Sequence, residues 1–242
     1  MEQTLDDLKL ADNTVLIFTS DNGGVGGYNR PGGLQREPGM EAKGKRAKGA
    51  DEDDGGITDN APLRSGKGSL YEGGTRAPFI VRWPGVTKPG SSCDVPTIHV
   101  DIFPTFLEIA GAPDPRQVLD GESLAKLFRD PAARLQRDAI FQHFPGYLGS
   151  GPGLWRTTPA SLIQVGDWKL MEFLEDGRLE LYNLADDIGE TQNLAKDNPA
   201  RAKELHDRLV SWRASVKAPM PTKNEGEAAQ PGSKSKRKKK GA

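Results

Sequence analysis

Cysteine is all but absent. Cys93 stands alone among 242 residues, which excludes an intramolecular disulfide framework and any multi-cysteine zinc or iron–sulfur site. No run approaches the roughly eighteen uncharged apolar residues of a membrane span. The opening residues, MEQTLDDLKLADN, lack the basic-then-apolar profile of a secretory signal. An excess of one charge sign is also missing, since 33 Lys and Arg face 34 Asp and Glu. That balance hides an asymmetry, because six of the last nine residues are Lys or Arg and the rest is therefore acidic.

With 35% hydrophobic residues the chain can build a core. Its 29 glycines and 18 prolines gather in clusters that mark the stretches outside it. Residues 23–56 carry almost no periodic apolar positions, so they read as a mobile loop or insertion that cannot offset its ordering entropy. Residues 218–242 form a basic tail without a hydrophobic face, expected to be disordered. Such a tail attracts anionic surfaces non-specifically, and no base-reading motif accompanies it, so no specific nucleic-acid partner is expected.

Between these stretches the apolar patterns predict regular elements. Residues 5–10 read as a helix end. Thr14-Val15-Leu16-Ile17-Phe18-Thr19 is a continuous β-rich run, the pattern of a strand covered on both faces in a parallel sheet. Residues 78–83 repeat the pattern and stop at Pro84-Gly85. Residues 101–110 read as a helix capped by Asp101, with Pro104 harmless in its first turn. The second half turns to local antiparallel pairing, with strands expected at 139–144, 161–165, 168–174 and 178–184 and a hairpin turn at Asp176-Gly177. A last helix starts at Asn198-Pro199 and places Leu205, Leu209, Trp212 and Val216 on one face. Trp168 and Tyr182 are expected in the core between hairpin and last helix.

Two stretches carry chemistry. Phe18-Thr19-Ser20-Asp21-Asn22-Gly23-Gly24 ends a buried strand with a carboxylate, a carboxamide and two glycines, where α/β sheets place their ligands. Asp21 and Asn22 offer hard oxygen donors for a cation; the same residues also read as a simple turn. The second stretch, Leu63-Arg64-Ser65-Gly66-Lys67-Gly68-Ser69-Leu70-Tyr71-Glu72-Gly73-Gly74-Thr75-Arg76-Ala77-Pro78, holds Lys67 between glycines, where its ammonium can approach an anion as a point charge. It lacks the upstream glycine of a nucleotide phosphate loop, which excludes that reading. Glu72 and Arg76 read as a structural ion pair steadying the lysine loop.

Those two stretches resemble the downstream signatures of the type I sulfatases of the alkaline phosphatase superfamily. Trp83-Pro84-Gly85, Asp101-Ile102-Phe103-Pro104-Thr105, Leu119-Asp120-Gly121, Asp167-Trp168-Lys169-Leu170 and Glu180-Leu181-Tyr182-Asn183-Leu184 continue the match in order. The resemblance implies an α/β fold: residues 1–120 as the C-terminal part of a sulfatase core with a mixed sheet flanked by helices, and residues 121–217 as a small antiparallel-sheet-plus-helix subdomain. It implies that Asp21 and Asn22 bind a divalent cation, calcium, and that Lys67 contacts sulfate as a catalytic and substrate-binding residue. His143 and Tyr147, in Phe141-Gln142-His143-Phe144-Pro145-Gly146-Tyr147, match a segment near the mouth of the site. They read either as substrate contacts or as a hydrogen-bonded loop anchor.

The family's nucleophile arises from a Cys/Ser-x-Pro-x-Arg motif, and none occurs in these residues; Cys93 is followed by Asp94-Val95-Pro96-Thr97. The resemblance therefore implies part of a calcium-dependent hydrolase of sulfate monoesters, with a sulfated small molecule or carbohydrate as substrate. A missing N-terminal half would carry the nucleophile, in a periplasmic or secreted full-length protein. The alternative is a non-catalytic remnant or binding module without sulfatase activity of its own.

Overall fold

Helix α1 (Glu2–Asp7) opens the chain and ends three residues earlier than expected, with Lys9 in the left-handed region. A 3-10 turn at Ala11–Asn13 leads into strand β1 (Leu16–Thr19). The computed structural model describes residues 1–25, 59–149 and 155–223. Most of the glycine-rich insertion and the basic end of the tail lie outside them.

A four-residue helix, α2 (Glu72–Thr75), precedes strand β2 (Phe79–Arg82). The two strands run antiparallel, Leu16 opposite Arg82 and Thr19 opposite Phe79. This corrects the expectation of a parallel partner covered on both faces. An apolar run establishes that a strand forms but not which strand lies beside it. Among the described residues this sheet has two strands, and Phe18 and Ile80 are about three-fifths exposed, at 60% and 62%.

Helix α3 (Ile102–Ile109) follows a 3-10 turn at His99–Asp101, with Pro104 in its first turn as expected. Asp101 does not cap α3 with its side chain. Fully buried, its carboxylate instead accepts the Ile98 and Glu122 N–H groups, at 2.9 and 3.0 Å, and the Arg137 guanidinium at 2.6 Å. It thereby ties α3 to the segment holding helix α4 (Ala125–Arg129).

The second half is sheet and helix. Strands β3 (Ile140–Phe144), β6 (Ala160–Val165), β7 (Trp168–Phe173) and β8 (Arg178–Asn183) form one antiparallel sheet in the order β3-β6-β7-β8. Strands β4 (Leu148–Gly149) and β5 (Trp155–Thr157) pair apart from it. The β7–β8 turn has Gly177 at φ 71°, as a tight hairpin demands. Helix α5 (Pro199–Ser215) begins with proline in its first turn.

Both faces of the four-stranded sheet are covered. On one, Ile163, Leu170 and Leu181 meet Leu205 and Leu209 of α5, all fully buried. Trp212 stacks on Phe141 with ring centroids 4.8 Å apart. Burying each leucine stabilises by about 1.5–3 kcal/mol. Val216, expected on the same face, is the C-cap of α5 and half exposed. On the other face, Leu162, Met171, Phe173 and Tyr182 pack against Tyr71 and Leu70. Tyr182 thus faces the lysine loop, not α5, while Trp168 does pack on the helix side. Strand alternation explains the split, since residues 168 and 182 pair in antiparallel rows offset by one.

Candidate functional site

The turn after β1 and the lysine loop are fastened to each other by backbone. The Lys67 N–H donates to the Gly24 carbonyl at 2.8 Å, and the Gly23 N–H donates to the Gly74 carbonyl at 2.9 Å. Asn60 adds a clamp, its Nδ2 donating to the Gly24 and Ser65 carbonyls at 2.9 and 3.1 Å. Gly23 and Gly24, counted with the insertion on sequence grounds, are part of this frame.

Local geometry explains the Gly-Lys-Gly pattern. A Cβ on Gly66 would lie 2.6 Å from the Gly24 carbonyl oxygen, so a side chain there would part the two segments. Gly68 sits at φ 87°, which an L side chain rarely adopts. Between them the Lys67 side chain is exposed. Asp21 is exposed and Asn22 half-buried. The Asn22 Nδ2 donates to the Gly23 carbonyl at 2.8 Å, which leaves Oδ1 as the amide's remaining donor to a cation. One carboxylate and one amide oxygen fit a hard divalent ion. Among the described residues no group of three or more His, Cys, Asp or Glu completes such a site.

His143 and Tyr147 are both engaged in hydrogen bonds. The His143 ring bonds Ser161 Oγ through Nδ1 and donates from Nε2 to the Pro219 carbonyl, both at 2.7 Å. Both nitrogens are thus occupied in holding β3 to β6 and to the residues after α5. The Tyr147 hydroxyl is hydrogen-bonded to Glu175 on the hairpin turn. His99 donates from Nε2 to the Ser20 carbonyl at 3.1 Å, steadying the turn before Asp21. His206 on α5 pairs with Glu172 on β7 at 3.2 Å.

A buried charge cluster lies beneath the lysine loop. Lys169 on β7, 1% exposed, sits 2.9 Å from Glu72 and 2.9 Å from Glu190. Arg76 completes the expected pair with Glu72 at 2.7 Å. Burial alone would raise the Glu72 carboxyl, but Lys169 and Arg76 outweigh it and hold it below the ordinary carboxylate range. For Glu190 burial prevails over Lys169 and the Glu72 N–H, and its carboxyl stands above that range. Burial beside Glu180 likewise pushes the Tyr71 and Tyr182 hydroxyls up, so both stay neutral donors; each donates a hydrogen bond to Glu180 Oε2 at 2.8 Å.

Lys169, Glu190 and Asn60 were not singled out from the sequence as site residues. One signal pointed to Lys169: a charged residue flanked along its strand by the apolar Trp168, Leu170 and Met171. Glu190 and Asn60 lie in irregular segments with no periodicity to betray their burial.

A family model described as Sulfatase matches residues 1–112, and one described as N-sulphoglucosamine sulphohydrolase, C-terminal, matches residues 66–215. A protein named sulfatase from Formosa agariphila is 36% identical over 225 residues, covering 87% of this chain and 34% of the relative. An N-acetylgalactosamine-6-O-sulfatase from Bacteroides thetaiotaomicron is 33% identical, covering 86% of this chain and 38% of the relative. The chain therefore spans little more than a third of the length of these curated relatives. An enzyme solved in complex with its substrate D-glucosamine-2-N,6-O-disulfate superposes with a TM-score of 0.64 at 24% identity, covering 91% of this chain and 38% of that one. At that identity the likeness speaks for the fold.

Proposed function

This chain belongs to the sulfatase family of the alkaline phosphatase superfamily, and from that membership we propose that it carries the sulfate-binding lysine and part of the cation site of a sulfate-ester hydrolase. What supports this reading is the backbone fastening of the Lys67 loop to Gly23 and Gly24, the residues that follow Asp21 and Asn22, together with the exposure of the Lys67 side chain. Asp21 and Asn22 would hold a divalent cation, calcium by their all-oxygen character. When bound, it would neutralise charge on the sulfate oxygens.

Lys67 would bind the sulfate monoester and direct Nζ to the ester oxygen. As the S–O bond breaks, the electron pair passes to that oxygen, and the ammonium stabilises the growing charge. The attacking oxygen would come from a nucleophile outside these 242 residues, since no Cys/Ser-x-Pro-x-Arg segment occurs in them. A sulfated carbohydrate is the substrate class proposed, in line with the amino-sugar named for one relative. His143 and Tyr147 would shape the rim rather than touch sulfate.

The test is Lys67→Ala in the native protein that contains this chain, assayed on 4-nitrophenyl sulfate and a 6-O-sulfated amino sugar. Loss of one such charge-stabilising donor predicts about a 100- to 1,000-fold fall in kcat. The exposed side chain predicts a nearly unchanged melting temperature. Turnover equal to wild type would refute the assignment.

A further inference from the structure

The lysine loop is gripped at both ends by the antiparallel sheet and the loop after it. At one end, Arg64 donates to the Glu190 carbonyl at 2.8 Å and to the Tyr182 hydroxyl at 2.9 Å, with its guanidinium 3.8 Å above the Tyr71 ring. The Arg64 carbonyl accepts the Gly73 N–H at 2.9 Å. At the other end, the Glu190 carboxylate accepts the Glu72 N–H at 2.7 Å, and Lys169 holds the carboxylates of Glu72 and Glu190. Helix α2, seated between these grips, presents the Gly74 carbonyl to Gly23 next to Asn22.

The cluster is costly. Two carboxylates and an ammonium, each 0–5% exposed at the side chain, have left water beside the apolar cluster of Leu162, Met171 and Phe173. Their mutual attraction offsets that desolvation only with good geometry, and apolar replacements often stabilise more. What ionic contacts add is direction: a carboxylate oxygen fixes an N–H, and a guanidinium fixes two acceptors at once.

We propose that Glu190, Lys169 and Arg64 are positioning residues, which set Lys67 and the Asp21–Asn22 turn against each other through α2 without touching substrate. The inference rests on the reading of Lys67 given above. A displacement of about 1 Å at a reacting group can cost on the order of 100-fold in rate, so loosening α2 lowers kcat while leaving the substrate-binding surface present.

The experiment compares wild type, Lys67→Ala, Glu190→Gln and the double variant of the native protein on 4-nitrophenyl sulfate, with rates normalised to titrated active sites. Glu190→Gln should lower kcat by about 10- to 100-fold with KM within about threefold. In the Lys67→Ala background the same change should cost less than about twofold, since residues acting through one another are not additive. An equal factor in both backgrounds, or an unchanged kcat per active site, would overturn the positioning role alone. Wild-type turnover in Lys67→Ala would instead bring down the reading of Lys67 and this proposal with it. Should Glu190→Gln fail to fold, Arg64→Lys, which keeps the charge and loses the fork, goes through the same cycle with the same criteria.

Discussion

Replacing Lys169 by methionine keeps the length of the side chain and deletes the single ammonium that Glu72 and Glu190 share. Breaking a buried pair by removing one partner costs about 3–5 kcal/mol, because the other partner stays buried and charged. Here two partners are left, although Glu72 keeps Arg76 at 2.7 Å, so Glu190, fully buried, carries most of the penalty. For a protein of this size that loss lowers the melting temperature by roughly 6–20 °C. The pH dependence is the sharper test. In the wild type the Glu72 carboxyl is held down, so its contribution is present above the ordinary glutamate pKa and fades as pH falls through its folded value. The raised Glu190 acts in the opposite sense: its contribution is full below the ordinary value and is lost as pH rises through the folded one. Without Lys169 burial acts on Glu190 without a cation to offset it, and Glu72 keeps only Arg76 to hold it down. Glu190 then favours folding only when protonated and Glu72 gains less from ionising, so the variant's deficit should be greatest near neutrality and shrink from about pH 7 to pH 4. Urea unfolding of both proteins across that range measures the difference. A deficit below about 1 kcal/mol at pH 7, or one that does not shrink in acid, would refute a buried, charged triad.

Two further outcomes follow from the same geometry. Gly23→Ala places a Cβ 1.7 Å from the Gly73 carbonyl oxygen, backbone that cannot step aside. It should separate the turn from α2, exposing the Gly23 and Lys67 amides to rapid hydrogen exchange; unchanged protection would contradict the close approach. Calcium at about 100 times its dissociation constant should stabilise the protein by roughly 2.7 kcal/mol, read as a rise in melting temperature reversed by a chelator. Asp21→Ala should reduce that rise, and an undiminished rise would remove Asp21 from the cation site.

Local patterns were legible where the physics is local. The spacing of Leu205 and Leu209 marked the buried stripe of α5, and Asp176-Gly177 marked a turn that must take a positive φ. The Gly-Lys-Gly and Asp-Asn-Gly-Gly stretches marked the candidate site, since residue type and close backbone approach are written in consecutive positions. Val216 was misplaced because helical periodicity does not say where the helix stops. Asp101 was taken for a cap because the bonds it makes reach 21 and 36 residues along the chain.

What the sequence determined by itself was therefore most of the elements, their turns and the residues proposed to bind an anion or a hard cation. Tertiary structure decided which surfaces those elements share. β1 pairs antiparallel with β2, Tyr182 turns toward the lysine loop, and both His143 nitrogens are spent on Ser161 and Pro219. Lys169 and Glu190 become a buried pair only when a strand and a loop from distant parts of the chain close over α2. Burial and electrostatic pairing depend on distance in space, and no spacing along the chain records it.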